Sequence, residues 1–326
     1  MRVNFKPDSC FNIAIMLSRR SVRIKVIQLL YSVSRDEDIT RDELKKRYWK
    51  SIDTSFELFL YNIYTLLQIA SIAEEDKDKR STKYLPSEVD KGFDAKIYHN
   101  PRIQDLEKNK NIQKVFDKYH FKERTDKDIF RKIYYDFQKQ DAYQEYISKP
   151  TTEDDDLEML LELFRYCRQS PDYNELIEDQ YVTWDDYKSL VIGSIKKVLK
   201  GLPFDKDDFY KEYYPEEECI KDFGEFLLLR TFDIDKTLLD YISPVLTNWH
   251  HDRVAVVDMI MLKMAVVEFM HCDSIPVKVT LNEYVELSKV YSTSKSKEFI
   301  NGVLDKLQHN LTEEGKISKS GRGLEE

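Results

Sequence analysis

The chain has 326 residues, 41% of them hydrophobic and 34% charged, with a formal net charge of −9. Its 8 Gly and 9 Pro are about half the average share, which excludes collagen-like, low-complexity and Gly-linker architectures and points to long helices with few turns. Aromatics at 13%, with 21 Tyr, exclude global disorder. So acidic a chain is not a bulk nucleic-acid coat, and any nucleic-acid site must be a local basic patch.

Residues 1–15 show no period, and Met16 directly precedes a strongly patterned segment, so 1–15 read as a loose arm or a mistaken start. From Ser18, Val22, Val26, Leu29, Leu30 and Val33 recur at helical spacing. Arg19, Arg20 and Arg23 share one side of the first turns of that helix. Residues 1–35 hold Arg2, Lys6, Arg19, Arg20, Arg23, Lys25 and Arg35 against Asp8 alone, a local charge of +6, and the remainder carries −15.

Residues 36–221 read as a series of amphipathic helices. Thr54 with Glu57 forms a potential capping box ahead of a long apolar run. Residues 76–111, polar and containing Pro86, Gly92 and Pro101, read as a loop or partly ordered connection. Helical patterns follow near 112–119, 126–148 and 154–169. Thr183 with Asp186 marks another start, and Gly201 with Pro203 the stop. Residues 205–225 are acidic, and no strand alternation or internal repeat is present.

Residues 222–310 are patterned most strongly, with helices expected near Phe223–Thr231, Lys236–Leu246, Val254–His271, a segment opened by a Thr280/Glu283 capping box, and 294–307. Val254 to Met270 is the longest apolar run, and Asp258, Lys263 and Glu268 within it exclude a transmembrane helix. Asp258 and Glu268 lie ten residues apart, about 80° from alignment on a helix, so they need not share a face. Gly302 inside the last helix points to close packing against a neighbour or, less commonly, close approach of a ligand. Residues 311–326 read as a mobile tail.

Cys10, Cys167, Cys219 and Cys272 are scattered, which suggests a reducing cytosol and a cytoplasmic protein. His250, His251, His271 and Cys272 match no metal-ligand spacing, so no metal is expected. No Gly-rich phosphate loop, G-x-S-x-G or H-E-x-x-H is present, so neither an enzyme nor a cofactor is expected.

Two separated motifs together resemble one family. RRSVRIKVIQLLYS resembles the opening helix of the NusB transcription antitermination family, R-R-x-A-R-x-x-A-x-Q-x-L-Y, through Arg19, Arg20, Arg23, Gln28, Leu30 and Tyr31, with Val22 and Val26 in place of Ala. The stretch from Ile275 to Leu307 resembles the family's closing pattern P-x-K-V-A-I-N-E-A-V-E-L-A-K … K-F-V-N-G-V-L-D-K. DMIMLKMAVVEF resembles the helix A-I-L-R-L-A-I-Y-E-L, with Lys263 for Arg. The resemblance covers 16–35 and 222–310; 36–221 then reads as a large helical insertion of unknown role, similar to longer NusB homologues of the Bacteroidetes type.

The resemblance implies an all-α, NusB-like bundle that binds single-stranded boxA-type RNA of rRNA leaders together with the ribosomal protein NusE. The pair would join NusA and NusG on RNA polymerase and suppress termination. On this reading Arg19, Arg20 and Arg23 hold phosphates, Gln28 reaches a base edge or merely caps the face, Phe299 stacks on a base, and Lys278 and Asn301 are further RNA contacts; Tyr31, Asp258 and Glu268 match positions near the partner-facing surface, with a structural role as the alternative for Glu268. The family domain also precedes RNA cytosine methyltransferase domains, but no nucleotide-binding βαβ half follows Leu307. The competing reading is a protein-interaction scaffold that binds a basic ribosomal protein during ribosome assembly without specific RNA binding.

Overall fold

The structure is a computed structural model; it describes residues 17–246, 254–293 and 295–324, and the side chains of 89, 322 and 323 lie outside that description. The residues described are all-α, with sixteen α-helices and no strand among them. They divide into two compact units, residues 1–53 with 215–326 and residues 54–214, and the division falls inside one long helix. Residues 1–16, and with them the reading of 1–15 as a loose arm, lie outside the described residues, as do His250 and His251.

In the first unit, helix α1 (Arg19–Arg35) starts where the side chain of Ser18 accepts a hydrogen bond from the Ser21 amide at 3.2 Å. Val22, Val26 and Leu30 line its buried face. Helix α2 (Arg41–Ser81) begins in this unit. Its start is marked by Thr40, whose hydroxyl accepts from the Glu43 amide at 3.3 Å. The expected start at Thr54/Glu57 is therefore corrected: both residues lie in the helix interior, since no Gly or Pro interrupts 41–81.

The same unit contains a π-helical turn (Glu218–Glu225), α12 (Phe226–Asp233), α13 (Asp235–Ile242), α14 (Val256–His271), α15 (Val277–Tyr291) and α16 (Ser296–Glu313). Helix α14 packs against α1, α12, α13, α15 and α16. It is buried on nearly every side, as expected of a helix apolar all round. In the π-helical turn, a Cβ on Gly224 would overlap the Tyr48 hydroxyl and Val22, so only glycine fits there. The Tyr48 hydroxyl donates to the Ile220 carbonyl at 2.5 Å, tying α2 to this turn.

Three further expectations are corrected here. Thr280 does not cap α15: the helix starts at Val277 behind Pro276, and the Thr280 hydroxyl donates to Glu268 Oε2 at 3.3 Å. A Cβ on Gly302 would meet nothing within 4 Å, so close helix packing does not explain this glycine. The tail is docked. Gly315, at φ 64°, ends α16 with bonds from its own amide to Thr312 O and from the Lys316 amide to Leu311 O, both 2.9 Å. Lys319 Nζ then donates to the Glu268 and Cys272 carbonyls at 3.1 and 2.9 Å, and the Ser320 amide to Asp273 O at 3.0 Å. A lysine there satisfies C-terminal carbonyls of α14 and suits the negative end of its dipole. Burial pulls the Lys319 ammonium below its ordinary pKa.

The second unit holds the rest of α2 and helices α3 (Glu88–Gly92), α4 (Pro101–Lys108), α5 (Lys110–Lys118), α6 (Phe121–Arg124), α7 (Lys127–Phe137), α8 (Asp141–Ser148), α9 (Glu153–Gln169), α10 (Pro171–Gln180) and α11 (Trp184–Gly201). The stretch 76–111, expected to be a loop, is mostly helical. Its punctuating residues mark helix ends: Ser87 and Asp90 form a capping box for α3, Gly92 closes it, and Pro101 opens α4 at its first position. Thr183 precedes α11 without a side-chain capping bond, and the helix stops at Gly201. The aromatic composition fills this core: Tyr64 packs against Tyr61, Phe116, Phe121 and Phe130. Buried polar groups pair inside this core, with the Tyr173 hydroxyl donating to Asn62 Oδ1 at 2.8 Å. The apolar window of α2 long enough to cross a membrane is mostly buried in the protein.

Candidate nucleic-acid interface

The three arginines at the start of α1 divide between solvent and core. Arg19 and Arg20 face outward, their side chains one-third and one-half exposed. Arg23 is buried, at 2% exposure. It follows Val22 and sits one turn before Val26 and Ile27, so it flanks the buried stripe and is drawn in by an acidic partner.

That partner is Glu268. Arg23 Nε and Nη2 donate to its two carboxylate oxygens at 2.7 Å each. The Tyr284 hydroxyl donates to Glu268 Oε1 at 2.5 Å, and the Thr280 hydroxyl adds a fourth bond. Phe223 packs under the Arg23 guanidinium at 5.0 Å. Burial opposes the charge on Arg23, but the charge and hydrogen bonds of Glu268 outweigh it and hold the guanidinium above its ordinary pKa. Burial, with the adjacent Glu268 charge, pushes the Tyr284 phenol well above its usual range. Arg23 and Glu268 thus form an internal ion pair: burial keeps Arg23 from the phosphate contact expected of it, and Glu268 takes the structural one of the two roles open to it. Lys25 is internal too, donating to the Ser51 carbonyl at 2.9 Å, so the +6 segment presents less charge than it contains.

Both outward arginines meet carboxylates. Arg19 Nη2 lies 3.1 Å from Glu218 Oε1. Arg20 forks onto Glu283, with Nε at 3.0 Å and Nη2 at 2.8 Å, and that hydrogen bonding raises its guanidinium pKa. Glu283 also reaches Arg23 Nη1 at 3.5 Å.

Asp258 and Phe299 come together on a cleft of about 290 Å³ that Lys295 and Thr293 also line. Asp258 is only 4% exposed. Ser296 donates to its Oδ2 at 2.7 Å, while Oδ1 has no hydrogen-bond partner among the described residues. Tyr31 is exposed on α1, with the Arg35 guanidinium 5.8 Å from its ring centroid. Gln28 is half-buried on α1, and Lys278 and Asn301 are exposed on α15 and α16. His271 accepts from Arg230 at 3.4 Å. The Cys272 thiol is buried, which pushes its pKa up to about 12.

Reasoning from sequence missed Glu218, Phe223 and Tyr284. They belong to no chemical motif and gain their roles from contacts with residues far away in the chain. Glu283 and Thr280 were read as a helix cap, which concealed their contacts with Arg20 and Glu268.

This fold and cluster define an all-α bundle that turns an arginine-bearing helix start outward. Residues 196–309 match the family model described as the NusB family. The Transcription antitermination protein NusB of Salinibacter ruber is 35% identical over 109 residues, 33% of this chain and 68% of the relative. The protein of that name from Anaeromyxobacter dehalogenans is 40% identical over 117 residues, 36% of this chain and 82% of the relative. That from Chloroherpeton thalassium is 42% identical over 77 residues, 24% of this chain and only 36% of the relative. No solved structure matches. The chain belongs to the NusB family of transcription antitermination proteins.

Proposed function

We propose that this protein is a non-enzymatic, cytoplasmic antitermination adaptor that binds boxA-type RNA jointly with the ribosomal protein NusE. It would act with NusA and NusG on RNA polymerase during rRNA transcription. The observation that carries the reading is the outward pair Arg19 and Arg20 at the N-terminus of α1 in a NusB-family chain. Guanidinium groups grip phosphate bidentately, the helix start favours anions, and counterion release favours the complex. Phe299, half-buried with an edge on the cleft, offers a ring on which an unpaired base could stack, and Gln28, Lys278 and Asn301 are secondary contacts. Tyr31, exposed on α1, suits a basic protein partner, and Asp258, 4% exposed, would be met only by a donor that enters the cleft it lines.

The scaffold reading draws support from the carboxylates already facing Arg19 and Arg20. A filter-binding titration separates the two, using boxA-type and scrambled oligonucleotides with the full chain and NusE. The adaptor reading expects boxA to bind more tightly than the scrambled sequence. Equal affinity for both, or no RNA binding while NusE still binds, would favour the scaffold.

A further inference from the structure

The ion pairs at the start of α1 serve different ends. The buried Arg23–Glu268 pair balances charge inside the bundle. The outward pairs have no such task, because a guanidinium open to water needs no carboxylate, and exposed pairs contribute little to stability. Yet the fold brings Glu218 and Glu283 to Arg19 and Arg20 across separations of 199 and 263 residues. Glu283 engages Arg20 through both carboxylate oxygens, the geometry that a phosphate would use. Glu286, one turn further along α15, adds negative field at Arg20, and Lys289 pairs with it.

We infer that Glu218 and Glu283 are competitors of RNA phosphate: in the free protein Glu218 holds Nη2 of Arg19 and Glu283 the fork of Arg20, and both must be displaced for RNA to bind. This inference rests on the RNA reading above. It makes the RNA face self-screened, holding the guanidinium planes in place while lowering intrinsic affinity for any single strand. Each displaced carboxylate stays near the incoming phosphate and repels it. Because the competition is for phosphate, it acts equally on every RNA sequence, and base selection must come from elsewhere on the surface.

The test is Glu218→Gln in the full chain, titrated with a short single-stranded boxA-type oligonucleotide and its scrambled counterpart. Glutamine keeps the size and an acceptor oxygen while removing the charge. The expected result is affinity about three- to tenfold higher for both oligonucleotides, since the change acts through one charge near the bound phosphate. Glu283→Gln is the second variant, with thermal melting followed in parallel because Glu283 also reaches Arg23. Unchanged or weakened RNA affinity in Glu218→Gln, where wild type binds boxA, would overturn the competition and leave the RNA reading standing. Failure of wild type and both variants to bind boxA, even with NusE present, would overturn both.

Discussion

Replacing Arg23 with alanine lowers stability by about 3–5 kcal/mol, the cost expected when one partner of a buried ion pair is removed. The loss is large because Glu268 is 0% exposed and would lose both guanidinium bonds, leaving the hydroxyls of Tyr284 and Thr280 as its donors. For a protein of this size the midpoint of thermal unfolding falls by about 4–7 °C. Arg23→Lys falls between, since an ammonium cannot reproduce the two parallel 2.7 Å bonds. In a double-mutant cycle, Arg23→Met combined with Glu268→Gln costs less than the sum of the single changes. The glutamine still accepts from Tyr284, and no unpaired charge remains. Thermal melts of the four proteins check this; an Arg23→Ala midpoint within about 2 °C of wild type would show that the pair contributes little.

The second large effect is coupling between RNA and protein partner. On the proposed reading, an acidic chain with carboxylates on both outward arginines should bind short RNA weakly on its own. A basic ribosomal protein seated near Tyr31 and Asp258 would add positive field and cover acidic surface, so NusE and RNA should favour each other. Coupling of this kind is worth about 1–3 kcal/mol, roughly 5–150-fold in affinity, and must be reciprocal. Tyr31→Ala, at an exposed position, should weaken NusE and reduce the coupling while leaving binary RNA affinity unchanged. Asp258→Asn should do the same. Asparagine is the suitable change because Asp258 is buried against Ser296, where a lysine would disturb packing. RNA titrations with and without saturating NusE measure the factor, and equal affinities in the two would show independent sites.

Much of the family bundle was legible in the sequence, because α1, α14, α15 and α16 carry both helical period and family motifs. The long helix α2 was less so. Thr54 and Glu57 mimic a start signal, and the absence of Gly and Pro from 41–81 was the one sequence sign that the helix runs through them. The 76–111 stretch misled for the converse reason: Gly92 and Pro101 bound short helices instead of marking a loop. Helical spacing placed Arg19, Arg20 and Arg23 on one side, but Arg23, one turn beyond Arg19, is buried because it meets Glu268. Glu268 pairs with Arg23 across 245 residues, and nothing local to either encodes that contact. Lys319 was hidden likewise, since a Gly- and Ser-rich tail offers no period to show what it docks against.

The measurement that bears most directly on the account is the salt dependence of boxA-type RNA binding by wild type and by the Arg19→Ala, Arg20→Ala double variant. Each phosphate contact on a single strand contributes about 0.7 to the slope of log affinity against log salt. The account predicts weaker binding by the double variant and a slope shallower by about 1.4, the sum of two such contacts. A double variant with wild-type affinity and slope would contradict it, and the start of α1 would then not be the RNA site.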